Sequence, residues 1–153
     1  DNRRQILTSM IGAWDVRITG TNHRSGERFD ISGSMNCFHP GNDQLVVCEM
    51  DTGGPISHDV YQFRSDTGQF VGAYNGVTAP DLHYYDALGI DETDLAGAWH
   101  MIVETEDEFG GARKTRRIDW RMQNDTMVRA ASSRLVGETG DFHADYTITS
   151  TRK

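Results

Sequence analysis

The chain has 153 residues, 37% hydrophobic, 25% charged and 9% aromatic. That length fits one domain over residues 1–153, and such a mix can bury a core, which excludes wholesale disorder. A balance of 15 Lys and Arg against 23 Asp and Glu leaves a net charge of −8. Like-charge repulsion then argues against nucleic acid or an anionic membrane surface as partner, and no apolar run approaches the roughly 18 residues of a membrane helix.

Residues 1–11, DNRRQILTSMI, predict a short entry helix with Leu7, Met10 and Ile11 on one face. Short alternating runs follow, separated by Gly, Asn, Asp and Pro clusters. They predict strands over 13–20, 28–37, 44–50, 57–64, 69–76, 97–105, 113–122, 126–135 and 141–150. One connection differs: residues 77–95, VTAPDLHYYDALGIDETDL, predict a long lid loop, and a loop of that length in a small domain is more often functional than a plain connector. The two cysteines, Cys37 and Cys48, are too few for a disulfide framework and form no CxxC motif. Free core thiols in a reducing cytoplasm are the expectation.

Pairing arithmetic sorts the faces, because directly opposed residues on antiparallel strands share a face and successive residues alternate. Hairpin centres at Asn42/Asp43, Gly110/Gly111, Asn124/Asp125 and Glu138/Thr139 oppose Cys37 to Cys48, Met101 to Trp120, Trp120 to Arg129 and Ala131 to Tyr146. The first hairpin can pair Val16 with Ile31 and Ile18 with Phe29. Nearly all strong apolar residues then point inward, among them Trp14, Ile31, Met35, Met50, Phe63, Phe70, Trp99, Met122, Phe142, Ala144 and Ile148. A meander of about nine strands with one apolar face hides that face by closing, so an all-β, up-and-down antiparallel barrel is expected. Leu45 and Val47 remain outside, where they mark a subunit contact in a homodimer or pack under the N-terminal segment.

Ile11-Gly12-Ala13-Trp14 resembles the GxW opening of lipocalin-like (calycin) barrels. The stretch Val60 to Phe70, VYQFRSDTGQF, resembles the hairpin of the lipocalin-like DUF1579 family, and Tyr146 to Lys153 resembles that family's closing strand. The resemblance implies a barrel with an internal cavity and no settled activity. Heme-binding nitrobindin-type barrels share the opening, but their later GYWR-like motif is missing here.

Polar residues on the inward face carry the functional signal, since a buried polar side chain needs a partner and a ligand can be one. Strand direction places Met50, Asp59, Tyr74, Trp99, Met122, Met127, Arg129 and Ile148 at a mouth beneath the lid, with Trp14, Phe63, Phe70, Arg116, Leu135 and Phe142 toward the floor. A Trp14–Arg116 pair on that floor matches calycin packing. Arg129 is salt-bridged to Asp59, turned to solvent by a slip in the turn, or a donor fork for a carboxylate, phenolate or enolate. In a catalytic version Asp59 moves a proton as general base, Arg129 holds developing negative charge and Tyr74 assists. Tyr61, Trp99, Trp120, Tyr146, Met50, Met122, His83 and Tyr85 complete a site for a small, largely apolar or aromatic organic molecule. No HxH or HExxH spacing supports a metal, and no phosphate-binding glycine loop supports a nucleotide, so no cofactor is expected. Isomerisation, cyclisation, dehydration or decarboxylation are the reactions such a barrel suits. The alternative is a structural or regulatory barrel that acts through subunit contacts. His100 with Glu104 and His143 with Asp145 fall on the outer face and read as solvated.

Overall fold

The period-2 alternation of the sequence becomes one continuous antiparallel ladder. The computed structural model describes residues 4–22, 25–41, 43–64, 66, 69–75, 83–94, 97–109 and 111–153; the side chains of 69, 74, 75, 83–94, 107 and 109 lie outside that description. A short helix, α1 (Arg4–Met10), leads into β1 (Gly12–Thr21), β2 (Arg28–Phe38), β3 (Leu45–Asp51), β4 (Ser57–Arg64) and β5 (Gln69–Asn75). Then come β6 (His83–Asp94), β7 (Ala98–Phe109), β8 (Ala112–Gln123), β9 (Thr126–Leu135) and β10 (His143–Arg152). Each strand pairs with its sequence neighbours, and β1 pairs with β10 through Trp14↔Arg152 to Gly20↔Tyr146, which closes the barrel. All-β barrel architecture with a small N-terminal helix is therefore as the alternation requires.

The lid loop is not what forms over most of 77–95. Residues 83–94 are a strand, β6, hydrogen-bonded between β5 and β7; residues 76–82, 95 and 96 lie outside the described residues. The tenth strand has a geometric reason. An up-and-down meander with an odd number of strands would close with its first and last strands parallel, whereas ten strands let β1 meet β10 antiparallel. It also reverses every later strand, so the two ends of the barrel are populated differently from the sequence expectation. We call the end where β1 begins the lower end. Trp99, Met122 and Met127 belong there, near the starts of β7 and β9 and the end of β8, and Arg116 lies toward the upper end.

The lower end is plugged by α1. Ile6, Leu7 and Met10 have no exposed surface and join Trp14, Val46, Phe63, Phe70, Trp99 and Met101 in one core. Each such side chain contributes about 1.5–3 kcal/mol by leaving water. The plug is also tied by hydrogen bonds. Trp14 Nε1 donates to Met10 O at 2.9 Å, and Trp99 Nε1 donates to Ser9 Oγ at 2.9 Å. Arg152 donates to Ser9 O and Ile11 O at 2.8 and 2.7 Å, which satisfies carbonyls at the helix C-terminus, and its guanidinium lies 4.2 Å over the Trp14 ring. The arginine on Trp14 is thus Arg152 and not Arg116.

Most hairpin registers are as expected, including Cys37↔Cys48, Met101↔Trp120, Trp120↔Arg129 and Ala131↔Tyr146. In the first hairpin Ile18 meets Ile31 and Val16 meets Gly33, a shift of two that preserves the face. Ile31 shares the inner face but remains 41% exposed, because β2 runs past the last β2–β3 pair, Ser34↔Asp51. One face is reversed. A β-bulge interrupts β10 between Ala144 and Tyr146, so Asp145 turns inward beside Tyr146 and the parity before it flips. Ala144 is accordingly exposed, and Phe142 lies outside between Arg117 and Arg134, 4.4 and 4.3 Å from their guanidinium carbons.

Cys37 and Cys48 are joined as a disulfide across β2 and β3, with Cα atoms 4.1 Å apart. The expectation of free thiols fails because direct opposition on one face brings the two sulfurs together. With a sequence separation of 11, the bond should stabilise the fold by about 2–4 kcal/mol. Intact-mass measurement of denatured, non-reduced protein should show the chain two hydrogens lighter than after reduction, and reduction should lower the melting temperature. A free-thiol signal in denaturant without reductant would contradict the bond.

Candidate functional site

A guanidinium crosses the barrel interior. Arg129 on β9 and Asp59 on β4 sit on opposite walls, with four strands between them in either direction around the ring. Both are buried, and Arg129 Nη1 donates to Asp59 Oδ2 at 2.7 Å. Tyr61, two residues along β4, donates its hydroxyl to the same carboxylate oxygen at 2.7 Å and accepts from Arg129 Nη1 at 3.1 Å. The Tyr61 ring reaches this position because its cross-strand neighbour is Gly72; a Cβ there would come within 2.8 Å of the ring. Arg129 Nη2 approaches Met35 Sδ at 3.8 Å, and its Cζ lies 5.3 Å from the centre of the Trp120 ring. Trp120 in turn packs edge-on against Tyr61, Phe70 and Trp99.

Charge follows from these contacts. Burial alone would lower the Arg129 pKa, but the Tyr61 oxygen, the Asp59 carboxylate and the hydrogen bond to Asp59 outweigh it and hold the guanidinium charged. Two donor atoms in this wall find no acceptor among the described residues: Arg129 Nε and Trp120 Nε1. They belong to directly opposed residues of β8 and β9. Ser150 Oγ, on the same inner face of β10 and fully buried, also lacks a partner there.

A second polar group lies toward the upper end. The bulge brings Asp145 inside, where Ser133 Oγ donates to its Oδ1 at 3.1 Å and Arg116 Nε stands 3.7 Å from its Oδ2. The Arg116 guanidinium lies 5.6 Å over the Tyr146 ring. Burial pushes the Tyr146 pKa up, while Arg116 and Arg129 pull it down and Asp59 and Asp145 add to the rise; the net shift is upward. The phenol is therefore a neutral hydroxyl at physiological pH.

Of the residues singled out from sequence, the fold brings Asp59, Tyr61, Trp120 and Arg129 into one cluster, with Tyr146 beside it. Met50 lines the upper wall opposite Met35. Trp99 and Met122 lie lower, with Trp99 engaged by the plug. Backbone pairing puts Tyr74 opposite Asp59 and His83, and Tyr85 opposite Gly72, but the side chains of Tyr74, His83 and Tyr85 lie outside the described residues. Asp145 and Met35 were missed. Only a bulge reveals Asp145, and the sequence shows that strand as unbroken alternation. Among the described residues, no three His, Cys, Asp or Glu side chains converge as a metal site, and no helix is long and apolar enough to cross a membrane.

No protein-family model matches the sequence, and no curated protein matches it. Among solved structures the whole chain is similar to the crystal structure of Rv2717c from M. tuberculosis, at 14% identity and a TM-score of 0.48, with 98% of that chain covered. At this level the likeness carries no argument about function.

Two measurements test the site. Asp59→Asn or Arg129→Met alone should cost about 3–5 kcal/mol, since each leaves a buried charge uncompensated. The double variant Asp59→Leu/Arg129→Met should recover most of that loss in denaturant unfolding. For Tyr146, a native pKa above its unfolded value means that the folded state holds the proton more tightly. Its contribution is intact below about pH 10 and is lost as the pH rises past it. Tyr146→Phe should flatten the alkaline fall in stability.

Proposed function

We propose that this protein is a ligand-binding barrel that takes a small, planar, mainly apolar organic molecule through one acceptor group. The observation that carries the reading is the pair of buried donors, Arg129 Nε and Trp120 Nε1, side by side in the wall with no acceptor among the described residues. Buried donors are normally satisfied, so such atoms call for a ligand or an ordered water. A carboxylate, carbonyl or phenolate oxygen suits a guanidinium edge and an indole N–H together. Aromatic rings and thioethers around them suit a flat apolar body.

Access favours the upper end. Inner-face residues there are progressively open: Ile118 and Ile148 are nearly buried, Ile18, Phe29 and Tyr146 half-buried, and Ile31 exposed. Binding is favoured over acid–base catalysis because Asp59 Oδ2 is already engaged by the Arg129 guanidinium and the Tyr61 hydroxyl. Membership of the DUF1579-type lipocalin-like barrels is part of this proposal and rests on the Gly12–Trp14 and Val60–Phe70 patterns. The reading of a purely structural barrel draws on the lower half, where α1 and the core side chains fill the interior.

The probe for this reading is 2-naphthoate, an aromatic monocarboxylate followed by its fluorescence. Wild type should bind it. The double variant Asp59→Leu/Arg129→Met, checked for folding by circular dichroism, should lose at least about tenfold in affinity, the worth of a charge-assisted hydrogen bond. Trp120→Phe, which removes the indole donor and part of the ring but keeps the guanidinium, should weaken binding less. No binding by wild type would favour the structural barrel, with the orphan donors held by water.

A further inference from the structure

The inner faces of β8, β9 and β10 form a short track. Arg129, Ala131 and Ser133 share the inner face of β9, and their partners are Trp120, Ile118 and Arg116 on β8 and Ile148, Tyr146 and His143 on β10. The distance along β9 from Arg129 to Ser133 is about 13 Å. Its deep end offers donors: Arg129 Nε and Trp120 Nε1. Its upper end offers a carboxylate, Asp145, which only a break in the β10 ladder brings inside. Between them lies the smallest side chain of the row, Ala131, with Tyr146 across from it.

These ends have opposite hydrogen-bonding character. A carboxylate accepts and cannot donate when ionised, and Arg116 at 3.7 Å partly neutralises Asp145, so that it does not repel an electron-rich ring. Ser133 Oγ fixes one oxygen. The guanidinium of Arg116 over Tyr146 leaves the end of the track polar and, with Arg116 15% exposed, within reach of the upper opening. Bulges commonly re-aim side chains beside functional sites. Here the bulge sacrifices a ladder pair to put two successive polar side chains, Asp145 and Tyr146, on the inner face.

We infer that the ligand is a hydroxylated aromatic acid, or a molecule of that chemistry: an acceptor group at one end for Arg129 and Trp120, and a donor hydroxyl at the other for Asp145. This rests on the ligand-binding reading above and specifies it. Asp145 acts as the specificity residue, and Ser133 as its positioning residue. All six methionines are buried in the core, and thioether side chains repack readily around a planar guest.

Three naphthoates test the assignment in the full chain: 2-naphthoate, 6-hydroxy-2-naphthoate and 6-methoxy-2-naphthoate. The hydroxyl compound should bind wild type about tenfold more tightly than 2-naphthoate, and the methoxy compound, which cannot donate, should show no such gain. In Asp145→Asn the gain, taken as the ratio of the hydroxyl compound's affinity to that of 2-naphthoate in the same variant, should fall to about twofold or less. Ser133→Ala should give a partial loss and guards against misfolding of the Asp145 variant. If 2-naphthoate binds but the hydroxyl adds nothing, or if the gain survives both substitutions, Asp145 does not read the ligand and the inference is overturned, with the binding reading left standing. If none of the three binds, both fall together.

Discussion

The Arg129–Asp59 pair is a strut across the diameter of the barrel. A closed sheet holds its circumference by backbone hydrogen bonds, but nothing in the ladder fixes how far apart opposite walls stand. That spacing is set by what fills the interior. In the lower half the filling is apolar and dense. At the level of Arg129 it is a charged tie, 2.7 Å from nitrogen to oxygen, and it works only if β4 and β9 sit at one separation and one height. Tyr61, Met35 and Trp120 then take their places around the guanidinium. A buried ion pair contributes little net stability compared with apolar packing. What it contributes here is a fixed cross-section at the depth where Arg129 Nε and Trp120 Nε1, without acceptors among the described residues, line the wall.

The two ends of the barrel divide the work. Below, α1 is short and could not persist alone; it is held because its apolar face completes the core and because Trp14, Trp99 and Arg152 satisfy its polar groups. A plug built that way fills the lower end with apolar side chains. Above, the inner face passes from buried to open over a few residues, and the Asp145 bulge sits on that gradient. Polar groups placed there meet solvent on one side and the apolar interior on the other, the setting in which a small molecule gains most from matching both.

Much of this was legible in the residues. Alternation plus turn chemistry is enough to orient Trp120, Arg129 and Tyr61 inward and to oppose Cys37 to Cys48, because parity propagates through any hairpin whose turn is known. The illegible parts are those where parity gives out. Strand β6 carries Asp86, Asp91, Glu92 and Asp94 with Gly89 among them, and its pairing with β7 shifts register twice, so its pattern does not read as a strand. Missing it inverted the later strands and moved Trp99 and Met122 from the expected mouth to the plugged end. The bulge at Asp145 left no local mark either. A single extra residue in a ladder is invisible unless both strands are already aligned. The disulfide was legible as geometry and not as chemistry, since opposition predicts proximity but not oxidation.

Closure through β1 and β10 carries a consequence for how the chain acquires its shape. The first strand finds one neighbour, β2, at once, and must wait for the last strand for its other. Until then its outer edge is unpaired, and the Trp14 ring lacks the Arg152 guanidinium that covers it. During synthesis, which proceeds from the N-terminus, the helix and first strand emerge long before their closing partner exists. The closing step therefore joins segments separated by nearly the whole sequence, the kind of contact that makes folding slow. A nascent chain of this topology carries an open strand edge until β10 has emerged, and protection of that edge falls to whatever binds it in the interval.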